Sequence, residues 1–250
     1  MLVRRYMSYS LNYYASVGGN GILFDKHKPS RRAFIKSDEA VVLIHGLWMP
    51  AQVMAVLARR LRRAGWAINI FAYSSRHVTT RRNAAALAEF IQSIDAAQVH
   101  FVAHSLGGLV LMQMLRDEPG QRSGRVVLLG TPYLGSQVAR RLSRHAWGRW
   151  LCGSSLDGAL LGDGPRWLGG RELGVIAGTL PMGAGWIMPG LPRPNDGTVA
   201  VAETVVPDQT DSITLPVTHT GLLFSAAVAR QIVHFLNSGS FRHVGIKTSL

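Results

Sequence analysis

From residue 40 onward, short apolar runs alternate with stretches in which apolar residues recur every three or four positions. Residues 40–44 (Ala40, Val41, Val42, Leu43, Ile44) form an unbroken apolar run that ends at His45-Gly46, as expected of a strand buried on both faces. Pro50 then opens a helical pattern with Val53, Met54, Leu57 and Leu61 on one stripe, and Gly65 is placed to end it. Residues 67–73 read as the next strand. Thr79 or Thr80 begins a second helix, whose Leu87, Phe90, Ile91 and Ile94 share a face. Further strand signals follow at 99–103, 125–130 and 173–178, with a shorter one at 212–217. Val228, Ile232, Phe235 and Leu236 make the stripe of a final helix. Strands alternating with helices predict an α/β fold: a mostly parallel, doubly wound sheet with helices on both faces.

Two regions stand outside this alternation. Residues 1–39 are rich in Tyr and basic residues with weak periodicity, and are read as an N-terminal extension that packs or stays disordered; an edge hairpin and a membrane-contacting arm are the alternatives. Residues 133–172 interrupt the pattern and hold Trp147, Trp150 and Trp167 among Arg and Gly. An insertion at that point would lie above the carboxyl ends of the strands as a lid or cap, or would simply pack there. The expected organisation is therefore a domain over 40–237, with 133–172 as its insertion, and a tail over 238–250.

Composition narrows the class. The chain has 250 residues, 47% of them hydrophobic, enough for a sizeable core. Its single cysteine, Cys152, excludes an intrachain disulfide and reads as a packing thiol. No apolar run approaches the ~20 residues that span a bilayer, and the first residues lack the apolar core of a signal peptide. A cytoplasmic protein is expected, with peripheral contact at the inner membrane as the variant. The 27 Lys+Arg against 14 Asp+Glu give a formal charge of +13, which favours anionic partners. Arg59, Arg60, Arg62 and Arg63 lie opposite an apolar stripe, as a solvated helix face would. Neither zinc-finger spacing nor an aromatic RNA-binding motif accompanies the basic residues, so no specific nucleic-acid partner is expected; weak attraction to an anionic membrane surface is the functional option that remains.

The chemistry gathers around Ser105. An apolar strand runs to His104, Ser105 follows, and an apolar helical pattern starts at once, which is the layout of a nucleophile elbow. A serine on so sharp a turn tolerates only small residues two positions away on either side, and Ala103 and Gly107 fill those places, giving A-x-S-x-G. A serine hydroxyl needs a general base, and His219 follows the last strand signal and precedes the last helix. His104 adjoins the nucleophile but is expected to point away from it; His234 reads as a structural histidine. Asp196 precedes His219 and is the candidate acid that would orient it. Asn195-Asp196-Gly197 also has the composition of a plain turn, and Asp208 and Asp211 are the fallback acids. Two amides are candidates to stabilise a developing oxyanion: Leu106 N–H, directly after the serine, and Leu47 N–H, after Gly46.

These features resemble a bacterial lipase or esterase of the α/β-hydrolase superfamily. The resemblance covers about residues 40–237 and rests on His45-Gly46-Leu47, the Ala103–Gly108 elbow, Asn195-Asp196-Gly197-Thr198-Val199 and His219. Gly130-Thr131-Pro132 with Gly135-Ser136 is similar to a segment after a central strand in many lipases. The resemblance implies the α/β-hydrolase fold and a cofactor-free, metal-free serine carboxylic-ester hydrolase acting on a small-molecule or lipid acyl ester. It also leaves open a thioesterase, an acyltransferase, or a membrane-associated binding protein whose catalytic residues are vestigial.

Overall fold

A computed structural model of the chain describes residues 38–156, 159–182 and 190–243. The N-terminal extension lies almost entirely outside these residues, as do residues 244–250 of the tail. Six strands form one sheet: β1 (Glu39–Ile44), β2 (Ala67–Phe71), β3 (Gln98–His104), β4 (Val126–Leu129), β5 (Leu173–Gly178) and β6 (Asp211–Leu215). Their order is β2-β1-β3-β4-β5-β6, and every pair is parallel.

Period-two alternation sorts the strand residues into two cores. Val41, Leu43, Val102, Val127, Leu129 and Ile176 face α1 (Ala55–Arg63) and the final helix. The opposite face carries Val42, Ile44, Phe101, Ala103, Leu128 and Val175, against α2 (Thr80–Gln92) and α3 (Leu106–Asp117). The sheet is thus covered on both sides, and the fold is the expected doubly wound α/β arrangement. Between β4 and β5 lie α4 (Gln137–Ser143) and α5 (Ala146–Cys152). After β6 come the short α6 (Gly221–Phe224) and the final α7 (Ala226–Ser238). The charged face of α1 is solvated as its pattern requires, with Arg59, Arg62 and Arg63 exposed. No helix among the described residues is long and apolar enough to cross a membrane.

Local chemistry sets the boundaries, and several differ from the sequence reading. The Pro50 segment enters its helix through a 3-10 turn, Ala51–Met54, before α1 proper. β2 stops at Phe71 because Tyr73 leaves the ladder to donate its hydroxyl to the His45 carbonyl at 2.8 Å. β6 ends at Leu215, since Pro216 has no N–H with which to continue the ladder. Thr79, one of the two residues expected to open the second helix, caps α2 by accepting from Arg82 N–H at Oγ1, and Ser225 Oγ accepts from Val228 N–H at α7.

Strand order positions the site. β2 lies on one side of β1 and β3 on the other, so the loops leaving β1 and β3 diverge and open a crevice at their carboxyl ends. In register Ile44 pairs with Ala103, and His104 with Leu129, so these strand ends form one rim. α3 then runs back closely against that rim. A Cβ on Gly107 would meet the carbonyl oxygens of both Ile44 and His45, backbone atoms that cannot rotate aside. Gly107→Ala is therefore expected to lower stability by about 1–3 kcal/mol, read as a reduced urea midpoint; an unchanged midpoint would show that α3 can back away freely.

Candidate active site

Ser105 sits between β3 and α3 at φ 54°, ψ −125°, a backbone conformation that side-chain-bearing residues rarely adopt. Bonds to β4 and to the first turn of α3 hold it there. Ser105 N–H donates to the Leu129 carbonyl at 2.9 Å, and its own carbonyl accepts from Gly108 N–H at 3.0 Å. The side chain lines a cavity of about 440 Å³ at the carboxyl rim of the sheet.

Asp196 and His219 meet at the same place. His219 Nδ1 lies 2.7 Å from Asp196 Oδ2, and its backbone N–H donates to the Asp196 carbonyl at 2.9 Å. The acid is buried and the imidazole nearly so, at 1% and 7% exposure, yet His219 still reaches the cavity that Ser105 lines. The other oxygen, Asp196 Oδ1, accepts from Thr198 N–H at 2.9 Å and Val199 N–H at 2.7 Å. The turn reading and the acid reading of Asn195-Asp196-Gly197 thus both describe the same residue, one oxygen each. With Nδ1 donating to the carboxylate, Nε2 carries the lone pair, the form a general base needs. The fallback acids lie elsewhere. Asp208 is solvent-exposed, and Asp211 begins β6 at the opposite end of the sheet, bonded to Phe241 N–H and His243.

Glycines allow this convergence. At Gly130 (φ 55°), just past β4, a Cβ would lie 3.1 Å from both Asp196 Oδ2 and His219 Nδ1. At Gly46 one would lie 3.0 Å from the Ser105 Cβ, so the loop after β1 passes directly against the serine. Leu47, next on that loop, lines the cavity beside Ser105 and Leu106. The Leu106 N–H is the first amide of α3 and has no intrahelical acceptor. The His45–Trp48 loop is braced from behind: the His45 ring stacks on Tyr73 with centroids 4.3 Å apart, and Trp48 N–H donates to Ser75 Oγ at 3.2 Å. Burial lowers the basicity of His45 and raises the Tyr73 phenol above its ordinary range.

The cavity wall is apolar. Val138 and Leu142 of α4 and Leu151 and Cys152 of α5 form one side, and among the described residues no Asp, Glu, Lys or Arg lines it. Cys152 is buried beside Val138 and Leu142, a packing thiol whose ionisation burial opposes. Among the described residues no three His, Cys, Asp or Glu side chains gather as a metal site.

Two residues at the site have roles that sequence reasoning missed. His104 packs against His219, with ring centroids 4.6 Å apart, and its Nε2 is 3.0 Å from the His219 carbonyl oxygen. A carbonyl only accepts, so His104 carries its proton on Nε2, while Nδ1 is buried without a partner. Strand alternation holds the missed signal: His104 shares the parity of Val102, whose face is covered by the elements after β6. Glu203, 5% exposed, is the second. It accepts from Gln137 N–H at 2.7 Å and Ala200 N–H at 2.8 Å, tying the start of α4 to the loop behind Asp196. Burial raises its pKa, with the two N–H bonds opposing. Its spacing from residue 200 matches a capping box, but Ala200 has no side-chain acceptor to complete the signature.

The sequence profile of the alpha/beta hydrolase family matches residues 41–236. The chain belongs to that family. The chain superposes on solved structures of low sequence identity. The lipase BlEst2 of Bacillus licheniformis, in propeptide form, has a TM-score of 0.69 at 19% identity, over 88% of this chain and 54% of its own. This chain thus spans about half the length of that lipase. The carboxylesterase CesB of Bacillus subtilis gives 0.53 at 12% identity, over 83% and 86%. A thioesterase of the prodiginine pathway in Streptomyces coelicolor gives 0.53 at 13%, over 82% and 86%. A search of curated protein sequences finds no significant match. At these identities the likeness is one of fold.

The buried histidines make a pH prediction. Burial, then the neighbouring His219, holds His104 well below the ordinary imidazole range, and burial lowers His45 in the same direction. The unfolded chain takes up these protons below about pH 6.5 while the native protein does not, so stability falls as pH falls through that region. One such proton corresponds to at most about 1.4 kcal/mol per pH unit. His104→Gln, which keeps a donor for the His219 carbonyl, should flatten the decline in unfolding free energy between neutral and mildly acidic pH; an unaltered slope would place the linkage in other groups.

Proposed function

We propose that this hydrolase is a serine carboxylic-ester hydrolase that works through an acyl-serine intermediate on an ester with an apolar acyl group. The observation that carries the reading is the buried Asp196–His219 pair, which opens on the same apolar cavity as the strained Ser105. His219 Nε2 takes the Ser105 proton as Oγ attacks the carbonyl carbon, and Asp196 stabilises the imidazolium that forms. The Leu47 and Leu106 amides receive the developing oxyanion. His219 then returns the proton to the departing alkoxide, leaving the acyl group on Ser105. Water repeats the sequence: His219 deprotonates it, the acid is released, and the serine regains its proton.

The uncharged wall supports an apolar acyl chain, with α4 and α5 of the 133–172 insertion acting as its cover. A thioester could use the same machinery with a thiolate as the leaving group, and a matched panel of esters and thioesters separates the two.

Ser105→Ala should lower kcat on a chromogenic medium-chain ester by about 1,000-fold or more and abolish labelling by a fluorophosphonate, with the fold retained. Asp196→Asn discriminates further. Its side-chain oxygen can still hold Thr198 and Val199 N–H, so folding should survive, while the lost carboxylate oxygen lowers kcat by on the order of 10⁴-fold. Full turnover in either variant would reject the proposed roles.

A further inference from the structure

Among the described residues, exposed tryptophans gather at the cavity mouth. Trp48, Trp147 and Met182 line the cavity yet are 49%, 58% and 63% exposed, and Trp150, one helical turn beyond Trp147 on α5, is 70% exposed. Soluble proteins seldom leave several large aromatic rings clustered in water. The rings are held rather than loose. Trp48 Nε1 donates to the Leu151 carbonyl at 2.9 Å, and the Arg76 guanidinium stacks over the Trp150 ring at 4.3 Å while donating to the Trp150 carbonyl.

Charge surrounds the same surface. Residues 137–156 carry Arg140, Arg141, Arg144 and Arg149 and not one acid. Among the described residues Arg76, Arg144 and Arg149 form no salt bridge, and the bonds of Arg76 and Arg149 go to carbonyl oxygens, which leave the positive charge uncompensated. Arg140 is engaged with the Leu134 and Leu161 carbonyls and senses the buried Glu203.

We infer that this face is a docking surface for an anionic phospholipid bilayer, with Trp147 and Trp150 entering the headgroup region and the arginines meeting lipid phosphates. Indole rings favour that boundary, being apolar with one polar edge, and each arginine near an anionic surface strengthens adsorption roughly fivefold. The formal charge of +13 adds long-range attraction. A second copy of the chain is a poorer occupant, because a twofold contact through this face would set its arginines against one another. Docking goes beyond the hydrolytic reading and needs no turnover.

Full-length Ser105→Ala protein, sedimented with phosphatidylcholine vesicles with or without about 30% phosphatidylglycerol, tests this and stays informative should the hydrolase reading fail. The expected result is binding to the anionic vesicles that weakens with salt and is accompanied by a blue shift of tryptophan fluorescence. Trp147→Ser with Trp150→Ser should reduce binding at least about 10-fold and remove most of the shift; Arg144→Gln with Arg149→Gln should reduce binding to the anionic vesicles alone. Vesicle binding unchanged by the tryptophan pair would assign membrane contact to another part of the chain and overturn the inference. So would absence of binding to anionic vesicles, or a concentration-dependent dimer that those same substitutions abolish.

Discussion

The carboxylate of Asp196 has two oxygens with different partners, and the site depends on that division. Oδ1 closes the turn through Thr198 and Val199 N–H, which fixes the acid in space; Oδ2 fixes the imidazole of His219. Neither bond suffices by itself. An acid left to swing would orient nothing, and one wholly absorbed by its turn would leave Nδ1 without an acceptor in a buried position. Because the His219 main chain also bonds to the Asp196 carbonyl, the pair is held at two levels, backbone and side chain. His104 adds a third from below, through the His219 carbonyl.

The fold around this pair follows from one geometric requirement: several strand ends must converge closely enough for side chains from distant parts of the sequence to meet. Backbone without side chains meets that requirement. Gly46 admits the β1 loop against Ser105, Gly107 brings α3 onto the β1 rim, and Gly130 passes beside the acid and imidazole where any Cβ would crowd both. The strain at Ser105 is supported by bonds to Leu129 and Gly108, so the site rests on a well-packed sheet and not on a freely moving loop.

Much of this was legible in the sequence for identifiable reasons. Central strands buried on both faces read as unbroken apolar runs, and β5 was placed at its observed bounds, Leu173–Gly178. The elbow was visible because strain restricts composition, and the order of Ser105, Asp196 and His219 was visible because Ser105 and His219 follow strand signals and Asp196 falls between the last two. Edge elements were harder. β6 is half exposed and ends at a proline, which moved its bounds. The support given by His104 and Glu203 depends on which main-chain groups come near, and no short motif records that. His104 could still have been assigned by parity along β3. Glu203 could not, since its partners at Gln137 and Ala200 lie on segments whose meeting is a tertiary fact.

Glu203 also has a mechanical implication. Its side chain grips the amino end of α4 with one oxygen and the Asp196 loop with the other, while its carbonyl accepts from Leu134 N–H. That end of the cavity roof is therefore riveted to the frame that carries the acid and cannot tilt outward without dragging the acid along. The far end of the roof has a different anchor: α5 is bonded through Leu151 and Trp150 to Trp48 and Arg76, on the loops that follow β1 and β2.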